Sequence, residues 1–210
     1  MNVAARVEVL KWVGLFCMLV DHLARFLDVR WPGADWLGRL AFPCFAVACA
    51  FQVAVDRRLA VAARLVAWGL LLTPVEWLVT GHVVGSVLVT LGLGLVVADF
   101  WEVEQGVGLG ALVLSVAAAQ FVEYGAAGVL LVAGLSLRRR AGGVVLACAG
   151  AALLVYRAGV WGAPVTAAAV ALVGAYLMTD GVSCPRVKGF FLRAYAAQWV
   201  VLGALALVRP

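Results

Sequence analysis

Apolar runs fill most of the chain, and short stretches of charge, glycine and proline separate them. Runs of this kind predict helices that cross a bilayer, for which roughly 20 residues are needed. Charged residues, prolines and glycines divide the chain into about nine such helices. The sixth is marginal because its sequence, GAAGVLLVAGLSL, is short. The predicted helices lie near 9–28, 36–55, 59–79, 83–100, 106–122, 124–137, 141–157, 162–180 and 190–208.

The composition favours a membrane protein over a soluble one. Of the 210 residues, 66% are hydrophobic and 13% are charged. A soluble domain of this size cannot bury so much apolar surface, so the expected solvent is the bilayer. We therefore predict an all-α fold, a polytopic membrane helix bundle that forms one domain over residues 1–210. The first apolar run has no small-residue cleavage site near its end, so we expect a retained span rather than a signal peptide.

Lysine and arginine in the loops set the expected orientation, because cytoplasmic loops carry an excess of these residues. With the N-terminus inside, eight of them fall on inner segments and four on outer ones. We therefore predict that residues 57–58 and 138–140 are cytoplasmic and that residues 30–35 are outside. The net charge of +5 comes from these loops and indicates topology rather than a nucleic-acid surface. The inner set is Arg6, Arg57, Arg58, Arg138, Arg139, Arg140, Arg186 and Lys188, and the outer set is Arg25, Arg30, Arg157 and Arg209.

The first predicted helix carries ionisable side chains inside its apolar run. Lys11 and His22 are eleven positions apart, so they share one helix face and are separated by roughly 16 Å along the axis. Ionisable residues within a membrane are costly and are functional by default, which makes His22 a candidate site residue. Lys11 has an alternative, since a lysine near the end of a span can extend to the headgroups. Asp21 lies four residues before Arg25, so both an ion pair and a catalytic role are open.

A second candidate element, GRLAFP at residues 38–43, opens the next predicted helix. Arg39 lies a few residues below the outer interface, at a depth similar to that of His22 across the short hairpin. Pro43 can kink the helix and free a backbone carbonyl, which a membrane protein tolerates where protein or water satisfies it. A cation and a histidine at one depth favour a site there. The alternative is that Arg39 extends to the outer headgroups.

The run KxxxxxxMxxDH followed by GRLAFPxF resembles the TraX family, the membrane acetylases of F-type conjugative pilin. The Lys-x10-His spacing is also similar to the motif of the wider membrane acyltransferases that modify sugars. Two departures from the family pattern are Gln198, where the last helix usually carries a histidine, and Ser86, where an asparagine is frequent. The resemblance continues through Arg64, TLGLG at 90–94, EYGAAG at 123–128 and AYAAQWVVLGAL at 194–205.

The resemblance implies an acetyltransferase of the bacterial inner membrane that uses acetyl-CoA as co-substrate. The acceptor it implies is the N-terminal amine of a pilin, or another envelope acceptor, at the outer face. It implies no metal, and we expect membrane lipids but no nucleic acid as partners. The implied catalytic residues are His22, Asp21 and Arg39. Those implied for the cofactor are Lys11, Arg39 and Arg64, and those implied for the substrate are Glu123, Tyr124, Tyr195 and Gln198.

Two rival functions stay open at this point. One is an O-acetyltransferase that acts on a glycan or a lipid. The other is a small transporter or pilus-assembly protein that uses its buried charges as a proton relay, although the sequence has no convincing inverted repeat. The sequence also leaves open whether transfer is direct or passes through an acetylated enzyme, and which oligomer forms.

Overall fold

The computed structural model describes residues 3–27, 32–81, 84–178, 184, 187 and 189–208, with the backbone alone at 3–5, 32, 35, 160 and 161. Within these ranges the chain forms nine α-helices and no strand longer than an isolated bridge. The prediction of an all-α fold is therefore confirmed. The predicted loop residues Arg30, Arg186, Lys188 and Arg209 lie outside the described residues, and so does His82.

Each predicted apolar segment contains one α-helix, and the main differences lie at helix ends. The fourth helix begins later than predicted because the Ser86 hydroxyl caps it and accepts the backbone N–H of Leu88 at 3.3 Å. The fifth ends early, in a 3₁₀ turn at Ala119–Phe121. The helices are α1 Val3–Phe26, α2 Pro32–Gln52, α3 Arg58–Thr80, α4 Val87–Val103, α5 Gln105–Ala118, α6 Gly125–Ser136, α7 Ala141–Arg157, α8 Gly159–Met178 and α9 Phe190–Val208.

Two helical segments among the described residues are long and apolar enough to cross a membrane, Val55–Thr80 and Phe190–Val208. Five further apolar helices are shorter. Large leucine side chains are exposed on the outside of several helices, including Leu71, Leu114 and Leu172. Exposed apolar surface of this extent fits a partner as apolar as lipid. The count of nine spans stays a prediction.

Helices α2, α4 and α6 form the centre of the bundle. The stretch 41–48 of α2 is buried throughout, and most of α4 and α6 is buried as well. Helix α1 packs along α2, while α9 returns to lie beside α3 and α1. On the other side, α7 and α8 pack against α6 and α2. This arrangement brings α1, α2 and α9, which carry most of the predicted site residues, into one region with the segment that precedes α6.

Two arginines that the sequence predicts to be cytoplasmic, Arg58 and Arg140, lie at one end of the bundle, where Arg58 binds backbone carbonyls near helix C-termini. The buried Arg58 donates to the carbonyl oxygens of Ser136 at 2.9 Å and Ala98 at 3.4 Å, near the C-terminal ends of α6 and α4. Glu102, from the acidic stretch DFWEVE, pairs with Arg58 at 3.7 Å and with Arg140 at 2.5 Å. Positive charge at helix C-termini is favourable, since carbonyls there lack intrahelical partners.

Helices α6 and α7 approach closely because glycines line their contact. A Cβ atom at Gly150 would overlap the backbone nitrogen of Leu131, and one at Gly134 would overlap the backbone of Ala147. Small residues allow membrane helices this separation. By contrast, a Cβ atom at Gly110 on α5 would meet no atom within 4 Å.

We expect Gly150→Ala to lower the midpoint of thermal unfolding by about 5 °C, the size that follows from overpacking a tight helix contact. Gly110→Ala is the matched control and should leave the midpoint unchanged or raise it, because alanine is the better helix former. Tryptophan fluorescence of both variants in detergent measures the difference. Equal midpoints would contradict the close packing of α6 on α7.

Candidate functional site

Two cavities lie side by side in the bundle, and the rings of Phe42 and Tyr124 belong to the walls of both. These rings stack with centroids 4.0 Å apart and planes 14° apart. The first cavity is about 20 Å³ and is lined by His22 among others. The second is about 200 Å³ and is lined by Arg39 among others. Helix α2 carries Phe42, so α2 divides the two spaces.

The imidazole of His22 is held from two sides by α9. The amide nitrogen of Gln198 lies 2.5 Å from its Nδ1 atom. The indole of Trp199 packs on the ring with centroids 4.4 Å apart. The other amide atom of Gln198, Oε1, is buried without a hydrogen bond among the described residues. Gln198 and Trp199 therefore hold the ring from one helix, α9.

Asp21 lines the same cavity as His22 and is also paired. Its Oδ2 atom lies 3.1 Å from Nη2 of Arg25, the pair that the sequence spacing allowed. The carboxyl group packs directly on Gly38, where a Cβ atom would lie 2.7 Å from the carboxyl carbon. The first residue of GRLAFP therefore makes room for the aspartate of the preceding helix.

Glu123 reaches the first cavity from the connection between α5 and α6. Its backbone N–H donates to the carbonyl of Gly85 at 2.9 Å, and the hydroxyl of Thr90 donates to its carbonyl oxygen. Burial, followed by the nearby charge of Glu76, raises the pKa of Glu123 to about 7, which the charge of Arg25 partly opposes. A carboxyl group that titrates near neutral pH beside a histidine suits proton transfer.

Tyr124 and the glycines after it shape the wall between the cavities. Tyr124 has a φ of 61° and precedes α6, which begins at Gly125. A Cβ atom at Gly128 would lie 2.8 Å from the Phe42 ring. TLGLG, EYGAAG and GRLAFP are distant in sequence, yet they meet at this wall.

A buried polar chain next to the site was missed by the sequence reasoning. Tyr195 donates its hydroxyl proton to Glu76 at 2.8 Å, and the hydroxyl of Ser86 lies 2.9 Å from that of Tyr195. Tyr195, predicted to line the substrate pocket, is not among the lining residues of either cavity. Glu76 is 7% exposed. Its signal in the sequence is a lone carboxyl within the apolar run LLTPVEWLVT.

The predicted cofactor residues lie apart from the first cavity. Arg39 lines the second cavity, with Nη1 3.5 Å from the hydroxyl of Thr166. Arg64 is exposed on α3. Lys11 donates to both carboxyl oxygens of Glu8 at 2.7 and 2.8 Å. The structure therefore gathers His22, Asp21, Glu123 and Tyr124 around one cavity with Gln198 behind the ring, but brings neither Lys11 nor Arg64 to it.

Within the described ranges, no group of three or more His, Cys, Asp or Glu side chains is placed to hold a metal ion. Asp21 pairs with Arg25, and the nearby Glu76 accepts from the Tyr195 hydroxyl.

The comparison with protein families matches most of the chain. A family model described as TraX protein covers residues 6–206, which include every candidate site residue. Searches of curated proteins and of solved structures find no match. The family match and the two helices that are long enough to span a bilayer together favour a membrane protein.

We expect Glu123→Gln to raise thermal stability relative to wild type at pH 8, with the gain disappearing near pH 4.5. The pKa of Glu123 is about 7 in the folded protein and 4.5 as a model value. Between these values the unfolded chain releases the proton and the folded chain keeps it, so wild type loses stability as pH rises through this window. Unfolding midpoints from pH 4.5 to 8 measure the effect. A difference between the two proteins that does not change with pH would contradict it.

Proposed function

The chain belongs to the TraX family, and from that premise we propose that it is a multi-pass acetyltransferase of the bacterial inner membrane. It transfers acetyl from cytoplasmic acetyl-CoA to the N-terminal amine of a pilin subunit at the outer face. The observation that carries this proposal is His22, an imidazole within an apolar bundle that lines a cavity with two carboxyl groups. An ionisable group in such a place is costly and is retained for function.

In this proposal His22 is the general base. The acceptor nitrogen attacks the thioester carbonyl, the C–N bond forms, and the C–S bond breaks. The imidazole takes the proton that the nitrogen loses, and the thiolate of coenzyme A leaves. An α-amino group has a pKa of about 7.7–8.0 and is already partly deprotonated, so modest base catalysis suffices.

Gln198 controls which nitrogen of His22 can act. With its amide nitrogen donating to Nδ1, the neutral ring carries its proton on Nε2. Half a turn of the amide would present the unpartnered Oε1 to an Nδ1–H group. In this second orientation the ring carries its proton on Nδ1, and the lone pair of Nε2 is free to take a proton from the acceptor. Gln198 is thus a positioning residue, and it replaces a histidine of the family pattern without adding a second titrating group.

The two carboxyl groups of the cavity, Asp21 and Glu123, have different roles in the proposed acetyl transfer. Asp21 is neutralised by Arg25, which limits it to shaping the cavity and its field. Glu123 is the candidate to hold the acceptor amine, since it faces the same space as His22. Arg39 lies beyond the Phe42 and Tyr124 rings and takes no step in the transfer of this proton.

Substrate entry requires movement of the lining side chains. A volume of about 20 Å³ holds about one water molecule, which is less than an acetyl group and an amine need. Met18 lines the cavity and is unbranched, so it can change rotamer at low cost. The thioester would enter along the face of α1 that joins Lys11 to His22.

We expect His22→Gln to cut acetyl transfer on the order of a hundredfold, because glutamine forms hydrogen bonds but cannot take the proton. Purified protein in detergent is mixed with acetyl-CoA and a peptide with the N-terminal sequence of the pilin, and the product is weighed by mass spectrometry. The matched control is glutamine at His82, the other histidine of the chain. Transfer at the wild-type rate by the His22 variant would refute the base, and acetylation of a glycan instead of the peptide would refute the acceptor.

Lys11 is proposed to bind the phosphates of acetyl-CoA, and its pairing with Glu8 allows a sharp test. Glu8 is 1% exposed, so Lys11→Gln leaves its buried carboxylate without a cation, held only by hydrogen bonds from Gln52 and Val187, and should lower stability. Adding Glu8→Gln removes that charge and should restore the unfolding midpoint. If Lys11 contacts phosphate, the double variant still binds acetyl-CoA on the order of tenfold more weakly than wild type, as calorimetry would measure. Wild-type affinity in the double variant would give Lys11 a structural role alone.

A further inference from the structure

The second cavity carries two arginines that face a common space. Arg39 enters from α2 and Arg157 from the last turn of α7. Among the side chains that the structure describes, neither arginine takes part in an ion pair. Both carboxyl groups of the neighbouring cavity, Asp21 and Glu123, lie beyond the Phe42 and Tyr124 wall. The space of about 200 Å³ therefore has two cations on its walls and no described acid.

The backbone is shaped to admit both guanidinium groups. A Cβ atom at Gly162 would lie 2.6 Å from the central carbon of the Arg39 guanidinium. A Cβ atom at Gly125 would overlap Nη1 of Arg157, and Gly125 has a φ of 52°. Two glycines on two different helices thus provide the room that the two arginines occupy. Arg39 is half-buried in this position and Arg157 is exposed.

One hydroxyl fixes the direction of Arg39. Thr166 is 6% exposed and donates its proton to the carbonyl of Gly162 at 2.9 Å. Its oxygen is therefore left to accept from Nη1 of Arg39, 3.5 Å away. Within the described residues this guanidinium makes no other hydrogen bond, so its remaining N–H groups can donate to a ligand. Arginine presents five donors in a planar fork that matches the oxygens of a phosphate.

Helix ends of both signs lie beside this space. Helix α6 begins at Gly125, next to the lining residue Tyr124, and α8 begins at Gly159, next to the lining residue Ala158. The N-terminal end of a helix carries partial positive charge and favours anions. Helix α7 ends at Arg157, and the partial negative charge of its C-terminal carbonyls opposes that of the two helix starts, so the two arginines supply the net positive charge of this space.

We propose that the cavity bounded by Arg39, Arg157 and Thr166 is a binding site for a phosphate group, either free or in a phospholipid headgroup. Two guanidinium groups match the charge and the several oxygens of a phosphate, which they bind through paired N–H donors. A volume of about 200 Å³ exceeds the need of a bare oxyanion, so part of the molecule that bears the phosphate fits as well. The site goes beyond acetyl transfer and does not depend on it.

The test measures direct binding to the purified full chain in a neutral detergent, without acetyl-CoA. The probes are radiolabelled inorganic phosphate, dihexanoyl phosphatidylglycerol and acetate, followed by equilibrium dialysis or native mass spectrometry. We expect saturable phosphate or phosphatidylglycerol binding that is weakened on the order of tenfold by Arg39→Gln and by Arg157→Gln. The matched control is Arg139→Gln, which removes an exposed arginine from the opposite end of the bundle and should bind as wild type does.

Comparing the probes distinguishes free phosphate from a phospholipid headgroup as the ligand, and the variants test whether the site exists. Tighter binding of phosphatidylglycerol than of inorganic phosphate assigns the site to a headgroup, and the reverse assigns it to free phosphate. Gly162→Ala should weaken binding without changing any charge, since it displaces the Arg39 guanidinium. The proposal is overturned if neither phosphate probe saturates, if Arg139→Gln loses as much affinity as the other two, or if acetate binds as tightly as phosphate.

Discussion

A polar side chain inside an apolar helix bundle needs a partner within the protein, and this constraint organises the structure. The partners come from distant parts of the chain. His22 on α1 meets Gln198 on α9, and Glu76 on α3 meets Tyr195 on the same α9. Each contact joins a helix near the start of the chain to the last one. The polar groups that are costly in isolation therefore fix the position of α9, and α9 in turn fixes the imidazole.

Residues 38–42 of helix α2 separate the small cavity at His22 from the larger cavity at Arg39. Gly38 admits the carboxyl group of Asp21 on one side, while Arg39 faces the larger cavity on the other. Phe42 belongs to both walls and stacks on Tyr124. Successive helix positions are about 100° apart, so neighbouring residues of one motif serve different spaces. His22 thus lies in a nearly closed space while the positive charge of Arg39 is held close by, across one aromatic layer.

Much of the fold followed from the sequence, and part of the site did as well. Runs of apolar residues located nine helices because composition alone selects helix in an apolar solvent. The cost of ionisable groups singled out His22 and Asp21 on local evidence. The same argument, applied to the third apolar run, would have found Glu76. The pairing of Asp21 with Arg25 was also open to prediction, since both lie on one helix.

The sequence by itself determined the helical class and the approximate helix positions, and it placed His22 and Asp21 within the first helix, because each depends on residue type or on spacing within one helix. Only the tertiary structure decided that Gln198 touches His22, that Arg39 and Arg157 share a cavity, and that Lys11 is already paired. Those contacts depend on which faces of non-adjacent helices meet. Small residues permit many such packings, and hydropathy does not distinguish them, since a uniformly apolar helix has no preferred face.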